Sequence, residues 1–397
     1  MVSLLLVVIY VAFVSLGLPD AILGSAWPSM YRELNVPVSY AGVVSMIIAG
    51  GTILSSLFSE RAIRRLGTGL VTAVSVAMTA AALLGFSFSR AFWLLCIWAV
   101  PYGLGAGSVD AALNNFVALH YKSRHMNWLH SFWGVGAALG PYIMGLALSG
   151  GKSWNAGYQA IGFIQIALVL GLIFTLPLWR AKAAEAGAAA GGSHPGMGRM
   201  LRLPGAKPMM AALFCYCAAE VTAGLWASSY MVLARGISAE SAAKMTSLFY
   251  VGITAGRFLS GMASGRLGDR VMVRLGLTLA ALGIAILFFP RGEAPLYAGL
   301  TLAGLGFAPI YPSLLHETPE NFGRENSQTI MGMQMASAYT GSTLMPLAFG
   351  LMADRVGLAA YPWYLLTVTA LMAAMVYRVD RACAGGGVAK APAEPER

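Results

Sequence analysis

Charge is what this 397-residue sequence has least of: Asp, Glu, Lys and Arg make up 11% of it, against 58% hydrophobic residues. Soluble domains carry roughly 25% charged residues, so a surface that mostly faces water is excluded. Cysteine is scarce, with only Cys96, Cys215, Cys217 and Cys383. Three of these lie in apolar runs, and Cys215 and Cys217, two apart, point to different faces of a helix, so neither a disulfide nor a metal site is expected. Enzyme signatures are missing too. There is no GxxxxGK[ST] phosphate loop, so nothing points to ATP as the energy source, and there is no HExxH or CxxC pair. His120 and His125 share one loop and are expected to be solvated rather than ligands. No cofactor is called for, and the chain is read as a non-enzyme.

Acidic residues are outnumbered, 16 to 26, for a net charge of +10. A basic protein can bind nucleic acid, but here Lys and Arg sit in short gaps between apolar runs, as membrane orientation signals do. The expected partner is the lipid bilayer, with no nucleic acid.

Apolar runs near 20 residues are what the chain has in abundance. Cores of soluble proteins stop growing at about 250–300 residues, whereas in a bilayer every backbone polar group must be paired internally, so such runs become helices. Twelve are read: 2–31, 38–60, 68–87, 91–119, 127–149, 157–179, 208–234, 241–264, 272–290, 294–316, 326–350 and 357–379. The first is no cleavable signal, because it lacks a basic start, runs long and contains Asp20. The expected fold is all-α and integral to the membrane. Residues 1–179 form one six-helix bundle, 180–207 an Ala/Gly-rich cytoplasmic linker, 208–379 a second six-helix bundle and 380–397 a disordered cytoplasmic tail.

With both termini inside, the near-membrane segments on that side hold 16 Lys and Arg against 7 in the outside loops. That asymmetry places both termini in the cytoplasm of a multi-pass protein of the inner (plasma) membrane.

The halves resemble each other. ERAIRRLG (Glu60 to Gly67) returns as DRVMVRLG (Asp269 to Gly276), 209 residues on. Asp20 and Gly24 align with Glu220 and Gly224 at an offset of 200, and Pro141 and Gly145 with Pro346 and Gly350 at 205. Two parallel repeats imply a pseudo-twofold axis along the membrane normal, with a cavity near it.

Asp20, Asp110 and Glu220 fall well inside apolar runs. A charge at the bilayer centre costs roughly 3 kcal/mol on insertion scales, so these carboxylates must face a cavity or a partner, and all three are candidates for coupling to protons. Gly17, Asp20, Gly24, Trp27 and Tyr31 share a helical face, as do Asp110 and Asn114, and Asn127, His130, Ser131 and Gly134. Trp27, Asn114, His130, Trp133, Glu220 and Trp226 are candidates for contacting a solute; Tyr230, Tyr311, Gln334 and Tyr339 are further cavity candidates. Arg257, inside a run, is expected to snorkel to the interface rather than pair with a carboxylate. Small-residue runs such as GVGAALG (Gly134 to Gly140) let helices approach closely.

GRLGDR (Gly265 to Arg270), followed by Arg274, resembles the cytoplasmic signature of the major facilitator superfamily. LGLPDAILGSAWPSM, VDAALNNFV, NWLHSFWGVGAALGP and YCAAEVTAGLWASSY are similar to its fucose-permease-like sugar:proton symporters. The resemblance implies alternating access and gating contacts at Glu60, Arg61, Asp269 and Arg270. It also implies proton- and sugar-linked carboxylates at Asp20 and Asp110, an amide at Asn114, and helix 5 polar positions at His130 and Trp133. The expected partners are a small polar solute and protons, with the monomer as the working unit. The leading expectation is proton-coupled symport of a sugar. A proton antiporter exporting amphipathic compounds and a non-transporting solute sensor are the alternatives.

Overall fold

The computed structural model describes residues 4–20, 22–36, 40–149, 153–185, 197–237, 239–289 and 292–385. They form twelve long helices. In the first half these are α1 (Leu4–Asp20 and Ile22–Glu33), α2 (Tyr40–Leu66), α3 (Thr68–Phe88), α4 (Phe92–His120), α5 (Ser123–Ser149) and α6 (Trp154–Phe174, extended by Leu176–Glu185). In the second they are α7 (Ala206–Ser229, ending in a π-helical turn Tyr230–Ala234), α8 (Ala239–Leu267), α9 (Asp269–Ile286), α10 (Ala294–Phe307 with Ile310–His316), α11 (Ser327–Val356) and α12 (Tyr361–Gly385). The expected linker region thus begins within the extension of α6 and holds a short turn, Met197–Met200; α12 runs on to Gly385, into the expected tail. Residues 186–196 and 386–397 lie outside the described residues.

Helix formation here is a response to the absence of water. Large apolar side chains stay exposed around the bundle, among them Phe174 at 82%, Phe88 at 70% and Tyr377 at 65%. In water such a continuous belt would drive association; against lipid it costs nothing. Seven of the helices are long and apolar enough by themselves to cross a membrane. Among the others, α5, α8 and α11 trade apolar residues for small and polar ones because they face protein: α8 packs on α5, and α11 on α2, across the boundary between the halves.

Within each half the packing follows one pattern. The first half pairs α1 with α5, α2 with α4, and α3 with α4 and α6; the second pairs α7 with α11, α8 with α10, and α9 with α10 and α12. The repeat extends to single contacts. A Cβ at Gly103 would strike the carbonyl oxygen of Ile48, and one at Gly304 that of Phe249; each partner of the second pair lies 201 residues after its counterpart. Likewise a Cβ at Gly136 would strike the Val14 carbonyl and one at Gly341 the Phe214 carbonyl. Gly136→Val should therefore force α1 and α5 apart, with the overpacking penalty of about 1–3 kcal/mol or more. The expected result is a lower unfolding temperature and loss of a single peak in size-exclusion chromatography. Gly42→Val, whose Cβ meets open space, should leave both unchanged.

The halves meet at the face where α1 begins and α12 ends. There Ser123 Oγ donates to Asp269 Oδ1, His316 Nε2 bonds the Tyr121 carbonyl at 3.0 Å, and Arg324 donates to the Leu119 carbonyl at 3.1 Å. Gln328 reaches Ser59 at 3.4 Å, beside the point where Gly332 lies against the Ser56 carbonyl. Toward the other face the outer stretch of α1 packs on α2, α5 and α6 of its own half. The molecule is therefore latched at the face of its termini.

Candidate functional site

Asp20 and Asp110 are held by neutral donors from α4, α5 and α11. Asp110 of α4 accepts from Asn114 Nδ2 at 2.7 Å, one turn along the same helix, and from Tyr339 OH of α11 at 2.6 Å. The second bond crosses from one half to the other. Asn114 passes the chain on: its Oδ1 lies 3.0 Å from His130 Nε2 on α5. Because the Asn114 amide hydrogens point at Asp110, its oxygen must face His130, which places a hydrogen on Nε2. His130 is fixed edge-on between Phe13, 5.4 Å away, and Tyr311, 5.2 Å away. The line His130–Asn114–Asp110–Tyr339 therefore joins three helices through one carboxylate.

Asp20 of α1 accepts from Trp133 Nε1 at 2.8 Å and from Tyr102 OH at 3.3 Å. It is solvent-accessible although the packed helices of its own half surround it. It also stands close enough to Asp110 for their charges to interact. Among the described residues, no basic group lies within ion-pair distance of either aspartate.

Glu220, the repeat counterpart of Asp20, is arranged differently. It forms an ion pair with Arg257 of α8 at 3.0 Å, and Arg257 also reaches Tyr216 OH at 3.4 Å. Arg257 is only 5% exposed. Its expected snorkelling to the interface is corrected, because a guanidinium held by a carboxylate and a phenol gains more than one stretched toward headgroups. Its charge lies 5.8 Å from the centre of the Trp133 ring. Trp133 thus bonds a carboxylate of one half with its edge and meets the cation of the other half with its face.

The remaining expected residues are distributed as follows. Trp27 is buried in an apolar cluster with Ile22, Ala26, Met30 and Tyr158, away from Asp110. Trp226 donates to the Pro346 carbonyl at 3.0 Å and packs on Phe349, within the second half. Gln334 is buried and paired with Thr318 at 2.9 and 3.0 Å. Of the gating candidates, Asp269 bonds across the halves, whereas Arg270 stays with Asn321 and Glu320 of its own half. Arg61 lies over the Phe58 ring at 5.3 Å, and Glu60 sits one residue before it at the end of α2. His125 is not solvated: it is buried and its Nδ1 lies 2.7 Å from Tyr10 OH, since the aromatic residues around it displace water. His120 stacks on Phe116 at 4.2 Å. Tyr102 and His316 carry bonds at the site and the latch that the sequence did not mark; both are ordinary-looking residues in apolar runs.

Tyr339→Phe removes one hydrogen bond to a carboxylate between the halves, a contact of about 1.5–3 kcal/mol. Spin labels placed across the face of the termini should show more molecules with that face open in this variant. Unchanged distances would mean that Tyr339 does not help hold the halves together.

Comparison with known proteins gives the same architecture. The family model described as Major Facilitator Superfamily matches residues 9–243 and 209–395. The crystal structure of FucP in the outward conformation superposes with a TM-score of 0.78 at 16% identity, covering 96% of this chain and 98% of that one. The proton:xylose symporter XylE bound to 6-bromo-6-deoxy-D-glucose gives 0.77 at 13% identity, covering 95% and 94%. Among sequences, Bypass of stop codon protein 6 of Saccharomyces cerevisiae is 22% identical over 91% of this chain and 79% of its own length. The glucose/mannose transporter GlcP of Bacillus subtilis is 22% identical over 77% of each. Twelve helices in two repeated bundles, carboxylates gathered between them and a family model matched over nearly the whole length agree: this chain is an integral membrane transporter and belongs to the Major Facilitator Superfamily.

Proposed function

We propose that this transporter couples the movement of a small uncharged polar solute, such as a sugar, to protons by alternating access. The observation that carries the reading is that Asp20 and Asp110 are held by neutral donors alone, Trp133, Tyr102, Asn114 and Tyr339. A carboxyl so placed can gain or lose a proton without breaking an ion pair. Enclosure disfavours a bare charge and hydration restores it, so a carboxyl that alternates between the two loads a proton on one side and releases it on the other. The Tyr339–Asp110 bond ties that event to the contact between the halves.

The amide, phenol and indole groups around the cavity are the donors and flat faces that sugars meet in binding sites. Similar proteins support the same class: a fucose:proton symporter, a proton:xylose symporter and a glucose/mannose transporter. The chain works as a monomer in this reading. Its parts are a bundle over 1–179, a linker over 180–207, a bundle over 208–379 and a tail over 380–397. Both termini lie in the cytoplasm at the inner (plasma) membrane, so the latched face is cytoplasmic and the present state faces outward. Glu60, Arg61, Asp269 and Arg270 belong to the cytoplasmic gate.

The test is purified protein in liposomes with an imposed pH gradient and a panel of labelled sugars, polyols and sugar acids. Accumulation of a neutral sugar on the alkaline side supports symport. Loss of preloaded amphipathic compounds against the proton flow would favour the export reading instead. Saturable binding without flux would leave a sensor. Orientation is tested separately: a cysteine at position 192 should resist an impermeant thiol reagent in whole cells and react in inverted vesicles. Labelling from outside intact cells would reverse the assignment.

A further inference from the structure

The latch at the face of the termini contains a histidine whose surroundings specify its protonation. His316 ends α10. Its Nδ1 lies 2.7 Å from Asp269 Oδ2 and its Nε2 lies 3.0 Å from the Tyr121 carbonyl oxygen. A backbone carbonyl has no hydrogen to give, so Nε2 must carry one. A ring nitrogen and a carboxylate oxygen at that separation need a hydrogen between them as well. A neutral histidine can satisfy only one of the two acceptors. The closed latch is therefore one proton richer than a neutral imidazole beside a free carboxylate, whichever of the two atoms holds it.

We propose that His316 and Asp269 form a second proton-binding site, separate from the mid-membrane carboxylates, and that closing the gate takes this proton up. The acceptor that requires the extra hydrogen, Tyr121, belongs to the other half. When the halves part, Nε2 and the carboxylate meet water instead, and either form of the ring is tolerated. The sign follows: the closed state is favoured below the open-state pKa and loses that advantage as pH rises through the closed-state value.

The surrounding charges do not substitute for this proton. In the second half, Arg270 is directed to Glu320 and Asn321, and Arg274 to Asp380. In the first half, Ser123 Oγ donates to the other Asp269 oxygen, while Lys122 and Arg124 are exposed; Arg124 bonds His125, which is also held by Tyr10. Glu317, next in sequence, is buried at 5% exposure with one carboxyl oxygen unpartnered among the described residues. Burial first, and Asp269 second, push it up to about 8. It adds a second proton linkage of the same sign, coupled to the first through Asp269, and must be removed to isolate His316.

This inference rests on the alternating-access reading, but its test needs no solute and no transport. Leu66 and Leu267, exposed at the ends of α2 and α8, take spin labels as cysteines after the four native cysteines are replaced by alanine. The full chain in nanodiscs is then measured from pH 5.5 to 8.5. On a Glu317→Gln background the open-to-closed ratio should rise with pH by up to about tenfold per unit, the limit for one proton. Adding His316→Gln, whose amide offers one donor group and one acceptor, should flatten the dependence to what the central carboxylates contribute. Asp110→Asn on the same background should keep the midpoint, even if it changes the level. A pH-independent ratio on the Glu317→Gln background overturns the proposal, as does a dependence whose slope and midpoint His316→Gln leaves unchanged. A dependence that vanishes with Asp110→Asn instead would assign the proton to the central site. Failure of sugar accumulation with an intact pH-dependent gate would reject the sugar-symport reading and leave this one standing.

Discussion

Replacing Asp110 with Asn should abolish solute accumulation driven by a pH gradient while sparing exchange of labelled for unlabelled solute to within a fewfold of the parent. Asparagine keeps the shape of the carboxyl but can neither bind nor release the proton. The hydrogen-bond chain can adapt to it. With its oxygen toward Tyr339, the new amide presents hydrogens to Asn114, which must turn its own oxygen to meet them. Asn114 then offers hydrogens to His130 Nε2, and the imidazole accepts them by moving its hydrogen to Nδ1. The side-chain bonds re-form at the loss of the Asn114 Nδ2 bond to the carbonyl of residue 110, a single bond, so the variant is expected to fold and bind. Exchange needs no net proton release and should persist; net uphill transport needs it and should stop. Both assays belong on one liposome preparation, and Asp20→Asn belongs beside it. Parental accumulation in both variants would remove these aspartates from the coupling step and direct attention to Glu220 or His130.

Arg257→Met should be the most damaging change of a single side chain in the second half. It strands Glu220, whose side chain is 17% exposed, without its cation, and breaking a buried ion pair on one side costs roughly 3–5 kcal/mol. A pair removed whole is different, because two neutral residues of similar volume need no mutual compensation. The double variant Glu220→Gln with Arg257→Met should therefore recover most of the thermal stability lost by Arg257→Met alone. The measurement is apparent unfolding temperature in detergent for the parent, both single variants and the double. A double variant no more stable than Arg257→Met would mean that the pair contributes through packing against Tyr216 and Trp133 rather than through charge.

What could be read from the sequence was what local chemistry decides. Long apolar runs interrupted by basic gaps became helices, because a bilayer leaves the backbone no other partner. The repeat was visible because its glycines and carboxylates keep their spacing, although the matched close backbone approaches fall at other glycines, Gly103 with Gly304 and Gly136 with Gly341. Asp20 and Asp110 were conspicuous because a mid-membrane carboxylate is costly and needs a reason. Partnerships were not legible. Tyr339 reaches Asp110 across 229 residues, and Arg257 reaches Glu220 across 37, distances that only the packing of helices closes. Trp27 shows the limit of a face defined by spacing. It lies seven residues from Asp20, about 10 Å further along the helix, and at that depth neighbouring helices of its own half cover the face that lower down meets the cavity. His316 gave no signal at all, since its role depends on a carbonyl in the other half.

The different partners of the two matched carboxylates bear on energetics. Both halves inherited an acidic residue at the same place, but Glu220 is tied to Arg257 whereas Asp20 is tied to no cation among the described residues. A carboxylate locked in an ion pair must break it to take up a proton, which makes Glu220 the poorer proton carrier of the two in the proposed cycle. The gate histidine takes up and gives back its proton on one side of the membrane and moves none across. If the proposed symport holds with these two aspartates as its carriers, the stoichiometry is bounded by Asp20 and Asp110, at two protons per solute. Since one pH unit is worth about 1.36 kcal/mol per proton, a one-unit gradient would sustain roughly tenfold concentration of solute with one carrier and roughly a hundredfold with both.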